Sequence, residues 1–162
     1  MTQQQPLSIE RDKTAVLIMD YQNRQLSGFS ETARNGLLAK ANAVLSRARQ
    51  DGIPVIYIEV RRGEKTPETE IHSGVLPKPG EPVLTKSRYG PFTTTKLLEV
   101  LKTKGITTLV LMGISTSGVV LSTVRWAADY TDISYKLIVL SDCCGDRDEE
   151  VQRVQSDNTI SL

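Results

Sequence analysis

Thr14-Ala15-Val16-Leu17-Ile18-Met19-Asp20 is the stretch on which the fold of this chain turns. Residues 15–19 are apolar without a break, whereas a strand with one wet face alternates apolar and polar side chains. An unbroken aliphatic run of this length, closed by an aspartate, reads as a strand buried on both faces. Three more runs share the pattern, at residues 55–58, 109–112 and 137–140, and a short strand is expected near Val83 and Leu84. Helical periodicity lies between them. Leu37, Leu38, Ala41, Val44, Leu45 and Ala48 form one apolar face, and Gly52 and Pro54 stop that helix. Leu97, Leu98 and Leu101 mark a second helix, closed at Gly105; Val120, Leu121, Val124 and Ala128 mark a third. Strands alternating with helices imply right-handed crossovers, hence an α/β fold: a three-layer α/β/α sandwich around a mainly parallel, Rossmann-like sheet.

The whole chain suits that size of fold. Its 162 residues fit one domain, expected over residues 14–155, with tails at 1–13 and 156–162. A composition of 39% hydrophobic and 24% charged residues excludes disorder for most of it. Twenty Lys and Arg against nineteen Asp and Glu leave +1, so nucleic acid and membrane surfaces are not expected partners. No apolar run approaches the roughly 20 residues of a membrane span. The first residues lack the charged-then-apolar layout of a signal peptide, and a cytoplasmic location is expected. Cys143 and Cys144 are adjacent and His72 is the one histidine, so neither a disulfide framework, a zinc site nor a Ser–His pair has residues to work with. No metal and no cofactor are expected.

In an open parallel sheet, ligands bind beyond the carboxyl ends of the strands. Those positions hold Asp20-Tyr21-Gln22-Asn23, residues 59–62, Lys86-Ser87-Arg88-Tyr89, residues 113–118 and Ser141-Asp142-Cys143-Cys144. Asp20, desolvated at the end of an apolar strand, is a candidate proton carrier, and Lys86 can share its mouth. An Asp at a strand end is also often a turn former or helix cap. Residues 113–118 join a buried strand to a helix; their amides suit an anion, or simply a cap made by Thr116 or Ser117. Gly118 is costly in a first helical turn, which suggests a close approach there. Arg88 and Tyr89 can bind a carboxylate and a ring, or lie in a solvated loop. Cys143 and Cys144 read as small buried packing residues, His72 as exposed, and Trp126 as a core or subunit-contact residue. Residues 61–82 carry four of the seven prolines and read as a long functional loop.

These strand ends resemble those of one family. Residues 14–23, ending Asp20-Tyr21-Gln22-Asn23, resemble the first strand of isochorismatase-like hydrolases. Lys86-Ser87-Arg88-Tyr89-Gly90-Pro91-Phe92 is similar to their lysine motif, residues 113–120 to their nucleophile turn, and Ser141-Asp142-Cys143 to a later strand end. The resemblance implies a sheet in the order 3-2-1-4-5. It implies catalysis by Asp20 and Lys86, with Gly118 in the nucleophilic cysteine's position, and substrate binding by Gln22, Arg88, Tyr89, Ser115 and Thr116. It also implies pocket-lining amides at Ser115 and Gly118 and a cis peptide between Ile114 and Ser115. Without a thiol the implied reaction is acid-catalysed hydrolysis of a small molecule, such as the vinyl ether of isochorismate. The alternatives are a non-catalytic binding or scaffolding protein and an amidase using Ser115 or Ser117. Family members usually continue with another strand and helix after Val151. The sheet is therefore expected to lack their last strand and expose the edge beside residues 137–140, which a homo-oligomer would cover.

Overall fold

The computed structural model describes residues 8–157. Five strands form one parallel sheet: β1 (Thr14–Met19), β2 (Val55–Val60), β3 (Val83–Lys86), β4 (Thr108–Gly113) and β5 (Lys136–Val139), in the order β3-β2-β1-β4-β5. That is the expected order. β1 and β4 are buried at all six positions, as their unbroken apolar runs require. They pair in register from Thr14 opposite Thr108 to Met19 opposite Gly113.

The pleat divides each central strand between two cores. Ala15, Leu17, Met19, Ile56, Ile58, Leu109 and Leu111 face one layer of helices, α3 (Leu97–Thr103) and α4 (Leu121–Asp129). Val16, Ile18, Tyr57, Val110 and Met112 face α2 (Glu31–Gln50) on the other side. A single turn of helix, α1 (Asn23–Leu26), precedes α2. Ser30 caps α2 by accepting the Ala33 N–H, and Leu37, Leu38, Ala41, Leu45 and Ala48 are its buried stripe. Gly52, at φ +68°, turns the chain out of the helix in a conformation that costs glycine nothing. In α4 the buried residues are Thr123, Val124 and Ala127, while Ala128 faces outward; the apolar stripe lies one residue away from the expected one. Trp126 is half-buried and stacks between Phe92, at 4.1 Å, and Tyr130, at 4.9 Å.

Residues 61–82 are less free than expected. They contain two short 3-10 turns, Pro67–Thr69 and Ser73–Val75, pinned to the body. The buried Gln22 amide donates to Val60 O and Thr69 O and accepts the Val60 N–H. His72 is half-buried, not exposed: its backbone N–H bonds Tyr21 O and its Nδ1 accepts the Gly74 N–H. The Arg49–Glu81 ion pair, at 2.7 Å, closes the far end. A last helix, α5 (Glu149–Asp157), packs beside the turn that leads into α4. Among the described residues no strand pairs with the outer edge of β5.

Candidate active site

Asp20 ends β1 in the left-handed region, at φ +58°, a conformation uncommon for residues other than glycine but tolerated by Asp and Asn. Lys86 is the last residue of β3, so the central strand and an edge strand bring the two groups together across β2. Asp20 is 5% exposed and Lys86 2%. Their Oδ2 and Nζ atoms lie 2.8 Å apart, and Lys86 also donates to Arg88 O at 3.1 Å. Asp20 Oδ1 is buried with no hydrogen-bond partner. Burial raises the Asp20 carboxyl to about 6; the Lys86 ammonium beside it pulls the other way without prevailing, and the Glu59 carboxylate adds to the rise.

The pair opens into a cleft of about 330 Å³. Val60, Ile114 and Val119 give it apolar wall, and Gln25 and Ser115 polar wall. Arg62, Arg88 and Arg147 bring positive charge, with Asp146 as a second carboxylate. Tyr89, 70% exposed, stands at the mouth. Such a space admits a small molecule, and the arginines suit an anionic one.

Several expected roles move. Gln22 does not line the cleft; its amide is spent on Val60 and Thr69. Thr116 turns away and donates to Gln152 Oε1 at 2.6 Å. The cap on the turn is neither Thr116 nor Ser117 but Ser115, whose Oγ accepts the Gly118 N–H at 3.1 Å. The Gly118 amide is therefore occupied and does not serve as an open lining donor. The first turn, Thr116–Val120, is a π-helix that runs into α4. A Cβ on Gly118 would sit 2.6 Å from Ser115 Oγ and 3.6 Å from Tyr89 Cδ1, which places this glycine between the cap and the mouth. The Ile114–Ser115 peptide is cis. Cys143 and Cys144 are buried, and burial pushes their thiols up to about 11 and about 12, so they are protonated at neutral pH. Among the described residues no group of three or more His, Cys, Asp or Glu side chains is placed to hold a metal ion.

Gln25, Val119, Asp146 and Arg147 are the cleft residues that lie outside the expected strand-end segments. Asp146 and Arg147 lie two and three residues past Cys144. The loop after β5 brings them back over the strand ends one turn later in the chain.

A parallel three-layer α/β fold with an acid–ammonium pair in a cleft at the strand ends defines a small-molecule hydrolase scaffold. Residues 14–159 match the isochorismatase domain, and the chain belongs to the isochorismatase family of hydrolases. It is similar to the ureidoacrylate amidohydrolase RutB of Agrobacterium fabrum, 26% identical over 85% of this chain and 78% of that protein. It is also similar to a protein named probable isochorismatase in Pseudomonas chlororaphis, 29% identical over 72% of this chain and 66% of that one. Among solved structures, an isochorismatase from Pseudomonas putida superposes with a TM-score of 0.75 at 26% identity, covering 86% of this chain and 74% of its own. A cysteine hydrolase from Pseudomonas syringae pv. phaseolicola shares the fold, with a TM-score of 0.81 at 21% identity over 91% and 84%. Among the described residues no helix is long and apolar enough to cross a membrane.

Proposed function

We propose that the cleft hydrolyses a small anionic molecule by proton transfer from Asp20, and that vinyl-ether cleavage is the reaction that suits it best. The supporting observation is the Asp20 carboxyl group: one oxygen on the Lys86 ammonium, the other buried without a partner. An oxygen in that state is a place to hold a proton and deliver it. Protonated Asp20 gives its proton to the terminal carbon of the enol ether, whose double-bond electrons form the new C–H bond. Water attacks the oxocarbenium ion that results and returns a proton to Asp20. The hemiketal then breaks its C–O bond, its hydroxyl proton ending on the departing oxygen. The products are an alcohol and a ketone, pyruvate in the case of isochorismate. Lys86 stabilises the carboxylate left after each transfer. Arg62, Arg88 and Arg147 hold the substrate's anionic groups, Tyr89 covers it, and Ser115 holds the turn. Gly118 supplies room and no nucleophile.

The amidohydrolase names among the relatives favour a second reading, an amide or ureido substrate. An acyl-enzyme route needs a nucleophile, and with glycine at 118 and both thiols buried and protonated this reading has less support.

Isochorismate and ureidoacrylate, offered to the wild type and to Asp20→Asn, separate these readings. Asparagine keeps the left-handed backbone, so the variant tests the proton and not the fold. The expected result is isochorismate turnover that falls about a thousandfold in Asp20→Asn. Because the acid form is the active one, kcat/KM of the wild type should fall about tenfold per pH unit above about 6. Undiminished turnover in Asp20→Asn overturns the proposal. A rate that rises through that pH makes Asp20 a base, and cleavage of ureidoacrylate alone selects the second reading.

A further inference from the structure

The turn at residues 115–118 would ordinarily present free amides to a reacting oxygen, and here it presents none of the three at 116–118. The Thr116 N–H is bonded to Gly145 O at 3.1 Å, the Ser117 N–H to Asp146 Oδ2 at 2.8 Å and the Gly118 N–H to Ser115 Oγ at 3.1 Å. The residue closing this set, Asp146, also lines the cleft that holds Asp20 and Lys86. It therefore occupies one of the turn's amide donors and sets a negative charge on the wall of the cleft. We propose that Asp146 determines which kind of charge the cleft accepts beside the turn, admitting a group that is or becomes cationic and rejecting an oxyanion. The arginines take the substrate's fixed carboxylate, and Asp146 faces the part that changes charge. Amide cleavage builds a negative tetrahedral oxygen, and each lost oxyanion donor costs about a hundredfold to a thousandfold in rate. Vinyl-ether cleavage builds positive charge, which a nearby carboxylate stabilises. This inference deepens the reading of Asp20 as an acid and rests on it for its place in the reaction, but the charge preference can be measured without turnover.

Two probes share a carboxylate and differ in the other end: β-alanine carries an ammonium, phosphonoacetate a phosphonate. Their dissociation constants are measured by calorimetry at pH 7.5 on the wild type, Asp146→Asn and Asp146→Ala, with melting temperatures as the check on folding. Asparagine keeps an oxygen for the Ser117 N–H and removes only the charge; alanine also frees the N–H. The expected result is a shift in the ratio of the two affinities toward phosphonoacetate by about tenfold or more in Asp146→Asn, and further in Asp146→Ala. A ratio that moves less than about twofold in both variants, or binding of neither probe by any of the three proteins, overturns it. Failure of the acid chemistry shows separately, as absent vinyl-ether turnover with the probe ratio still shifted.

Discussion

At the scale of the residue, the site rests on how one carboxyl group is divided. One Asp20 oxygen meets an ammonium at 2.8 Å and the other meets no polar partner, so burial outweighs the ion pair and the group holds its proton to about 6. Lys86→Met tests that balance. Removing the ammonium removes the influences that lower Asp20, so the alkaline, descending limb of a pH–rate profile should move above 6, and the buried unpaired carboxyl should cost about 3–5 kcal/mol at pH 8 in urea unfolding. A limb that stays in place would assign Lys86 to packing alone. Gln22 teaches a related lesson. It sits beside Asp20 in the chain and reads as a substrate contact, yet it closes a loop whose nearest hydrogen-bonded residue is 38 positions away. Residue type and neighbourhood indicate that such a side chain will be spent; the partner is set by the packing of another segment.

At the scale of the element, the strand-to-helix turn is self-contained. Ser115 caps it, Gly145 and Asp146 fasten it, and Gly118 stands where any side chain would displace the cap. Gly118→Ala puts a methyl carbon against Ser115 Oγ, and the serine must rotate away from the Gly118 N–H. Losing that hydrogen bond costs about 1 kcal/mol, and removing glycine from a first helical turn returns about 1 kcal/mol. The two nearly cancel, so the urea midpoint should stay within about 0.5 kcal/mol of wild type in stability terms. A loss above about 2 kcal/mol would mean that the turn cannot yield to the added carbon. The turn also shows where reading by pattern stops. Gly, Ser and Thr between a buried strand and a helix announce a cap, but which hydroxyl caps depends on backbone directions that composition does not carry.

At the scale of the whole molecule, the unfolding equilibrium should feel Asp20 with an unusual sign. Its carboxyl is raised from 3.8 to about 6 on folding, so its contribution is fully present below 3.8 and is lost as pH rises through about 6. Relative to Asp20→Asn, the wild type should therefore lose about 3 kcal/mol of stability between about pH 3 and pH 8, read from urea curves of both proteins. A constant difference across that range would place the carboxyl's shift elsewhere. The architecture itself was open to sequence reading because burial on both faces leaves a plain mark: β1, β2 and β4 are nearly continuous aliphatic runs, and α2 repeats its apolar residues at helical spacing. β5 carries as plain an aliphatic run, yet its place at the sheet edge leaves it largely exposed or half-buried and not buried on both faces as that run implies, and β3 was visible only as Val83 and Leu84. The acid and the amine were legible as strand ends, while the second carboxylate of the cleft, on a loop after β5, was not.

Asp20 and Lys86 stand 66 positions apart at the ends of strands separated by a third, so no short fragment of the chain holds the pair. Three strands must be laid side by side before the acid meets its counter-ion, and contacts between such distant segments are among the slowest a chain makes. Turnover regained during renaturation would therefore come no earlier than the closure of this half of the sheet, making the enzyme's own substrate a stopwatch for its assembly.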